Sequence, residues 1–197
     1  MIQKITISIL ICVSFNYANA QNFDINLLKQ INPRYPSSNT WRTISSTAEP
    51  LSVAIPLSMA MVSLINNDHK MEINSYEAGA SLLAAGVITM GMKSVLKRQR
   101  PYVTYPNDIY PDEIDNGYSM PSAHSSLAFA TATSIFLNYK KWYVAVPLYA
   151  WATSVSYSRM YLGQHYPTDV MAGAAVGIGS AYLCHWLNKK YFLKRKK

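Results

Sequence analysis

Apolar residues fall in long blocks along this chain rather than in alternation. Five blocks stand out, at Leu51–Ile65, Tyr76–Met92, Ser122–Leu137, Trp142–Tyr157 and Thr168–Leu187, separated by polar or charged connections. None alternates with period two and all are long for strands, so the pattern predicts helices. A block of about 15–20 residues suits either a membrane span or a buried core helix. Several blocks are rich in small residues, as in Ala172-Gly173-Ala174-Ala175 followed by Gly177 and Gly179. Small residues let membrane helices approach closely, though tightly packed soluble helices use them too. The expected fold is all-α, a helical bundle of about five apolar, transmembrane helices behind an N-terminal signal peptide.

The leader is read from its three parts. Met1–Lys4 carries one positive charge, Ile5–Phe15 is an apolar run of eleven residues, and Ala18-Asn19-Ala20 forms a small-x-small site before Gln21. That is the secretory pattern; eleven residues are too few to span about 30 Å comfortably. Cleavage would remove Cys12 and leave Cys184, in an apolar run, as a small buried hydrophobe. The chain therefore divides into a signal peptide at 1–20, a polar lead-in at 21–50 that is short-helical or irregular, a helical domain at 51–188 and a basic tail at 189–197.

Charge then gives sidedness. Asn66–Ser75 holds Lys70, Asn138–Lys141 ends in two lysines, and Asn188–Lys197 carries six Lys/Arg. A mature chain starting outside and crossing five times puts all three segments in the cytoplasm, which agrees with the positive-inside tendency. The expected localisation is the inner membrane, multi-pass; a soluble periplasmic helical domain is the alternative, since the mean hydropathy is zero. With 50% hydrophobic and 14% charged residues the chain is not disordered. Its net charge of +8 suits an anionic partner.

The same topology gathers the unusual polar residues on the outer side, at 93–121 and 158–167. Lys93 closes the second block, and Arg100 follows two helical turns later, sharing its face if the helix continues; Pro101 disfavours helix at Arg100. Pro121-Ser122-Ala123-His124 opens the third block, with Ser122 a cap candidate and the first-turn N–H groups an anion site. In Ser158-Arg159…His165-Tyr166-Pro167-Thr168-Asp169, Pro167 suits a first helical position. Asp169 there can orient the His165 imidazole and raise its basicity. Arg159 offers a planar fork to phosphate oxygens. Three cations, two histidines and one carboxylate suit metal-free phosphoryl transfer. A metal fits less well among three cations.

The three segments resemble the signature of the type 2 phosphatidic acid phosphatase family: Lys-x6-Arg-Pro, Pro-Ser-Gly-His, and Ser-Arg-x5-His-x3-Asp. The first and third blocks match fully; in the second, Ala123 stands where the family usually has Gly. The resemblance implies a metal-independent phosphatase with no cofactor. It makes His165 the nucleophile of a phosphohistidine intermediate, Asp169 its orienting partner and His124 the general acid. Lys93, Arg100, Arg159 and the backbone around Ser122 and Ala123 would hold the phosphate. The implied partners are a lipid phosphate or diphosphate substrate and membrane lipids, with no nucleic acid, and the active site faces the periplasm. Oligomeric state is not readable. A soluble broad-specificity acid phosphatase and a non-catalytic lipid-binding membrane protein are the alternatives.

Other features are left outside this site. Seven tyrosines, Tyr102, Tyr105, Tyr110, Tyr118, Tyr157, Tyr161 and Tyr166, fall on the outer side and suit a lipid–water interface. Asp108, Asp112, Glu113 and Asp115 form an acidic loop, read as solvated charge or as a lid that excludes some anions. Lys97 and Arg98 are read as solvated helix-end charge or as contacts to a second phosphate or a lipid headgroup. His69 and His185 fall on the opposite side.

Overall fold

The computed structural model describes residues 23–192. The expected signal peptide lies outside the described residues, as does most of the basic tail. The described residues contain helices and no strand. The lead-in holds two helices, α1 over 23–31 and α2 at Asn39–Ser46. Then come α3 (Ala48–Asn66), α4 (His69–Leu96), the short α5 (Pro101–Thr104), α6 (Ala123–Tyr139), α7 (Trp142–Tyr161) and α8 (Pro167–Leu187). A π-helical turn at Asn188–Phe192 follows.

The five apolar blocks are thus α3, α4, α6, α7 and α8. The largest difference is at α4, which starts at His69 rather than near Tyr76. Asp68 is the reason: its carboxylate accepts the N–H groups of Lys70 and Met71 at 3.0 Å each, a cap that lets polar residues form the first turns. His69 therefore sits on a helix, not in a loop. At the other end, α4 stops at Leu96 with Lys97 in the left-handed conformation at φ 47°. Lys93 and Arg100 accordingly do not share a helical face; Arg100 is extended and caps α5.

α6 is the central helix, packed by α3, α4, α7 and α8. Its buried side chains include Ser125, Ser126, Thr131, Thr133 and Ser134. The outward surface is the reverse: Leu57, Met61, Leu64 and Ile65 of α3, Leu83, Val87 and Met90 of α4, and Met171 and Trp186 of α8 are all exposed. Water-soluble domains rarely expose contiguous apolar surface on this scale, and small or hydroxylated residues between helices are the packing mode of bilayers. Ala48–Asn66, His69–Thr104 and Pro167–Tyr191 are long and apolar enough to cross a membrane. α6 and α7 fall outside that group; α6 has 17 residues and a largely hydroxylated, buried surface.

Two glycines set the spacing at the centre. A Cβ on Gly173 would lie 2.5 Å from the Ser122 carbonyl oxygen, and one on Gly177 would lie 2.3 Å from that of Ser126 and 2.7 Å from the Ala130 nitrogen. Side chains there would collide with backbone, so glycine alone lets α8 lie directly on α6. The helix starts are joined as well, the Ser122 N–H donating to the Asp169 carbonyl at 3.0 Å.

Candidate active site

The close contact of α6 and α8 brings three chain segments to one end of the bundle. His165 lies in the turn between α7 and α8. The turn needs Gly163 at φ +69°, where a Cβ would also meet the Tyr110 carbonyl oxygen at 2.5 Å. Asn32 of the lead-in ties this region together, donating to the carbonyls of Tyr110 at 2.9 Å and Tyr161 at 2.8 Å.

His165 is 2% exposed. Its Nδ1 faces inward, 3.4 Å from Ser119 Oγ and 3.6 Å from Asp169 Oδ2, which leaves Nε2 as the free nitrogen. Ser119 Oγ in turn donates to Asp169 Oδ2. Burial first, and then the charges of Arg159 and Arg100, hold the His165 pKa down to about 4 against the opposing pull of Asp169. The imidazole is therefore neutral at ordinary pH, with a lone pair available.

Asp169 is fully buried and well supplied with donors. Besides Ser119, Oδ2 accepts the Tyr166 N–H at 2.9 Å and Oδ1 accepts from Arg98 Nη1 at 2.8 Å. Arg98 lies 3.9 Å over the Tyr166 ring and donates to Thr168 Oγ1 and Asp24 Oδ2, each at 2.7 Å. Asp24, at the start of α1, also accepts the Thr168 N–H at 3.0 Å. Arg98 is thus neither solvated nor turned toward a second phosphate, because a buried carboxylate on each side pairs with it. Asp24 and Ser119 have no counterpart in the sequence reading, which gave neither a role. A buried acid far along the chain carries no local signal.

Arg159 and the second imidazole, His124, line a polar cavity. A space of about 550 Å³ is bordered by His124, Arg159, Arg42, Ser45, Asp112 and Glu113. A smaller one of about 200 Å³ shares His124 and Arg159 and reaches Asp115 and Gln164. Arg159 Nη1 donates to Ser45 Oγ at 2.9 Å, while its buried Nε and the buried Ser122 Oγ have no hydrogen-bond partner. Native proteins rarely leave such groups unsatisfied. The Ser122 N–H is spent on Asp169, so the N–H groups left for an anion at the α6 start are those that follow it. Lys93 Nζ donates to the Tyr118 carbonyl and lies 3.5 Å from that of Ser119. Arg100, 4% exposed, donates through Nε to the Gly117 carbonyl at 2.9 Å and through Nη1 to Gln164, and pairs with Asp115.

All eight candidate positions therefore converge at this end. His185 and His69 do not: His185 Nδ1 lies 2.8 Å from Glu77 at the other end of the bundle. Two of the seven tyrosines, Tyr102 and Tyr166, are core residues rather than interface rings, packed with Ile25, Leu28 and Ile109. The acidic loop is paired, with Asp108 on Lys29 at 2.9 Å and Asp112 on Arg42. Among the described residues no three His, Cys, Asp or Glu side chains form a metal-binding group.

The chain has known relatives. The model of the PAP2 superfamily matches residues 76–192, more than half of the chain and all three motifs, and the protein belongs to that superfamily. Bacitracin transport permease protein BcrC of Bacillus licheniformis is 37% identical over 114 residues, which cover 56% of this chain and 53% of that protein. Lipid A 4'-phosphatase of Bacteroides thetaiotaomicron is 34% identical over 74 residues, 38% of this chain and 33% of that protein. The chain spans about half, or less, of the length of these curated relatives. The crystal structure of the first transmembrane PAP2-type phosphatidylglycerolphosphate phosphatase from Bacillus subtilis shares the fold, with a TM-score of 0.67 at 23% identity over 88% of each chain.

Proposed function

We propose that this protein is a membrane-embedded, metal-independent phosphatase of lipid monophosphates or diphosphates, working at the periplasmic face. The observation that carries the reading is His165 buried against Ser119 and Asp169, with His124 and Arg159 bordering a polar cavity at the same end of the bundle. Names of relatives in the superfamily point to phosphorylated lipids, and the apolar outer surface of the bundle suits a substrate that stays in the bilayer.

In this mechanism His165 Nε2 attacks phosphorus. A P–N bond forms and the P–O bond to the lipid breaks, while His124, protonated beside the negative charge of the bound phosphoryl group, gives its proton to the leaving oxygen. Water then attacks the phosphohistidine, His124 takes a proton from it, and the P–N bond breaks to release phosphate. Lys93, Arg100, Arg159 and the α6 N-terminus stabilise the negative charge on the equatorial oxygens. Ser119 and Asp169 hold the His165 proton on Nδ1 throughout. Ala123 keeps the N–H that the family's usual Gly supplies.

The test is phosphate release by detergent-purified protein with chelator present. The panel contains lipid monophosphates, lipid diphosphates and a soluble phosphomonoester, with His165→Ala as control. Lipid-selective release that is lost in the variant is the expected result. Release mainly from the soluble ester would replace the reading with a broad-specificity acid phosphatase. Equal behaviour of variant and wild type would make the protein non-catalytic.

A further inference from the structure

Arg100 already has an anion. Its Nε and Nη1 are held by the carbonyls of Gly117 and Gln164, and Nη2 pairs with Asp115 Oδ2. The carboxylate is placed deliberately. Tyr102 Oη accepts the Asp115 N–H at 2.9 Å and donates to the Asp115 carbonyl at 2.7 Å, and Asp115 Oδ1 accepts the Gly117 N–H at 2.7 Å. Asp115 also borders the cavity that holds His124 and Arg159. The two partners differ in freedom: the Arg100 side chain is 5% exposed and that of Asp115 is 52% exposed. The arginine is fixed, and the carboxylate is the partner able to leave.

We propose that Asp115 is a specificity-determining residue, a resident carboxylate that a substrate's phosphoryl group must displace from Arg100. This rests on the cavity being a phosphate site. Burial opposes its ionised form, but the Gly117 N–H and then Arg100, Lys93 and Arg159 outweigh that and hold the Asp115 pKa below its ordinary value. The group is thus a full negative charge facing the three cations of the site. The other aspartates of this loop, Asp108 and Asp112, are taken by Lys29 and Arg42.

The chemical consequence is selection by charge. A terminal phosphate or diphosphate brings close to two negative charges and three acceptor oxygens on its last phosphorus. A phosphodiester brings one charge and two free oxygens, no more than the carboxylate it would replace. The exchange favours terminal phosphates and disfavours the phosphodiester headgroups that surround a membrane protein in excess. Asp115 thereby keeps bulk phospholipid out of the site.

The experiment measures binding of inorganic phosphate to the full chain in detergent micelles by calorimetry, with and without phosphatidylglycerol as a phosphodiester competitor. Asp115→Asn should bind phosphate about tenfold more tightly, equivalent to a Kd shift of one decade, and phosphatidylglycerol should now compete. Asp115→Glu should stay close to wild type. Asp108→Asn, on the same loop, should not change the binding. Tyr102→Phe, which unpins the Asp115 backbone, should move affinity in the same direction as Asp115→Asn and serves if that variant does not fold. Equal phosphate affinity in wild type and a folded Asp115→Asn overturns the proposal. Absence of phosphate binding in both overturns the phosphate reading of the cavity as well, whereas the phosphate-release assay tests that reading separately.

Discussion

Asp169 shows how much of a site hangs on one residue's surroundings. A fully buried carboxylate is costly unless its lone pairs are filled, and here Arg98, Ser119 and the Tyr166 N–H fill them. Arg98 is itself held by Asp24. Replacing Arg98 by Gln should let Asp169 shift, and a displacement of about 1 Å can cost about 100-fold in kcat. Phosphate affinity should change far less in that variant, which separates positioning from binding; Arg98→Lys should recover only part of the rate. Asp24→Asn should act in the same direction. For His165, with a pKa of about 4 in the fold, protonation removes the lone pair that attacks phosphorus. A pH profile of kcat/KM, which reports groups of the free enzyme, should therefore show its acid limb near pH 4 rather than near 6.5. The folded state binds fewer protons than the unfolded chain between those two values, so this group's contribution to stability should fall as pH drops through that window. The Lys, Arg, His and Asp of the three motifs were legible because each motif is short and its spacing is local. Asp24 was not, because its partners lie 74 and 144 positions away.

At the scale of helices, the apolar blocks foretold five elements because helices bury or expose whole faces and leave a periodic or continuous apolar record. The start of α4 escaped because Asp68 caps polar residues into helix, and the Lys93–Arg100 register escaped because Lys97 turns left-handed. The stripe of small residues on α8 was visible, but its partner was not. Gly173 and Gly177 lie against the backbone of α6, so these glycines set the distance between the His124 and His165 segments. Gly177→Val should force the two helices apart; overpacking of this kind typically costs about 1–3 kcal/mol. Activity should fall with the melting temperature in detergent, while Gly179→Ala, where nothing lies within 4 Å of the added Cβ, should leave both near wild type. A Gly177→Val protein as stable and active as wild type would show that the α6–α8 contact does not set the site.

Taken whole, the molecule is built with hydroxyls inside and hydrocarbon outside, and the proposed topology follows from that inversion together with the basic connections. Reporter fusions after residues 70, 140 and 190 should all report the cytoplasmic side, and a periplasmic signal at 140 would overturn the five-span arrangement. The lead-in is more than a spacer, since Asp24, Asn32 and Ser45 reach the Arg98, Tyr110–Tyr161 and Arg159 groups respectively. The hydroxyl-rich α6 has a consequence for biogenesis. Ser125, Ser126, Thr131, Thr133 and Ser134 are buried among the neighbouring helices, and a helix bearing so many hydroxyls partitions poorly into lipid by itself. In a translocon insertion reporter, α6 alone should integrate less efficiently than α3 or α4, and its integration should rise when α3 and α4 precede it. Because α8 emerges from the ribosome after α6 and carries Asp169, the proposed site stays incomplete until α8 has seated against α4 and α6.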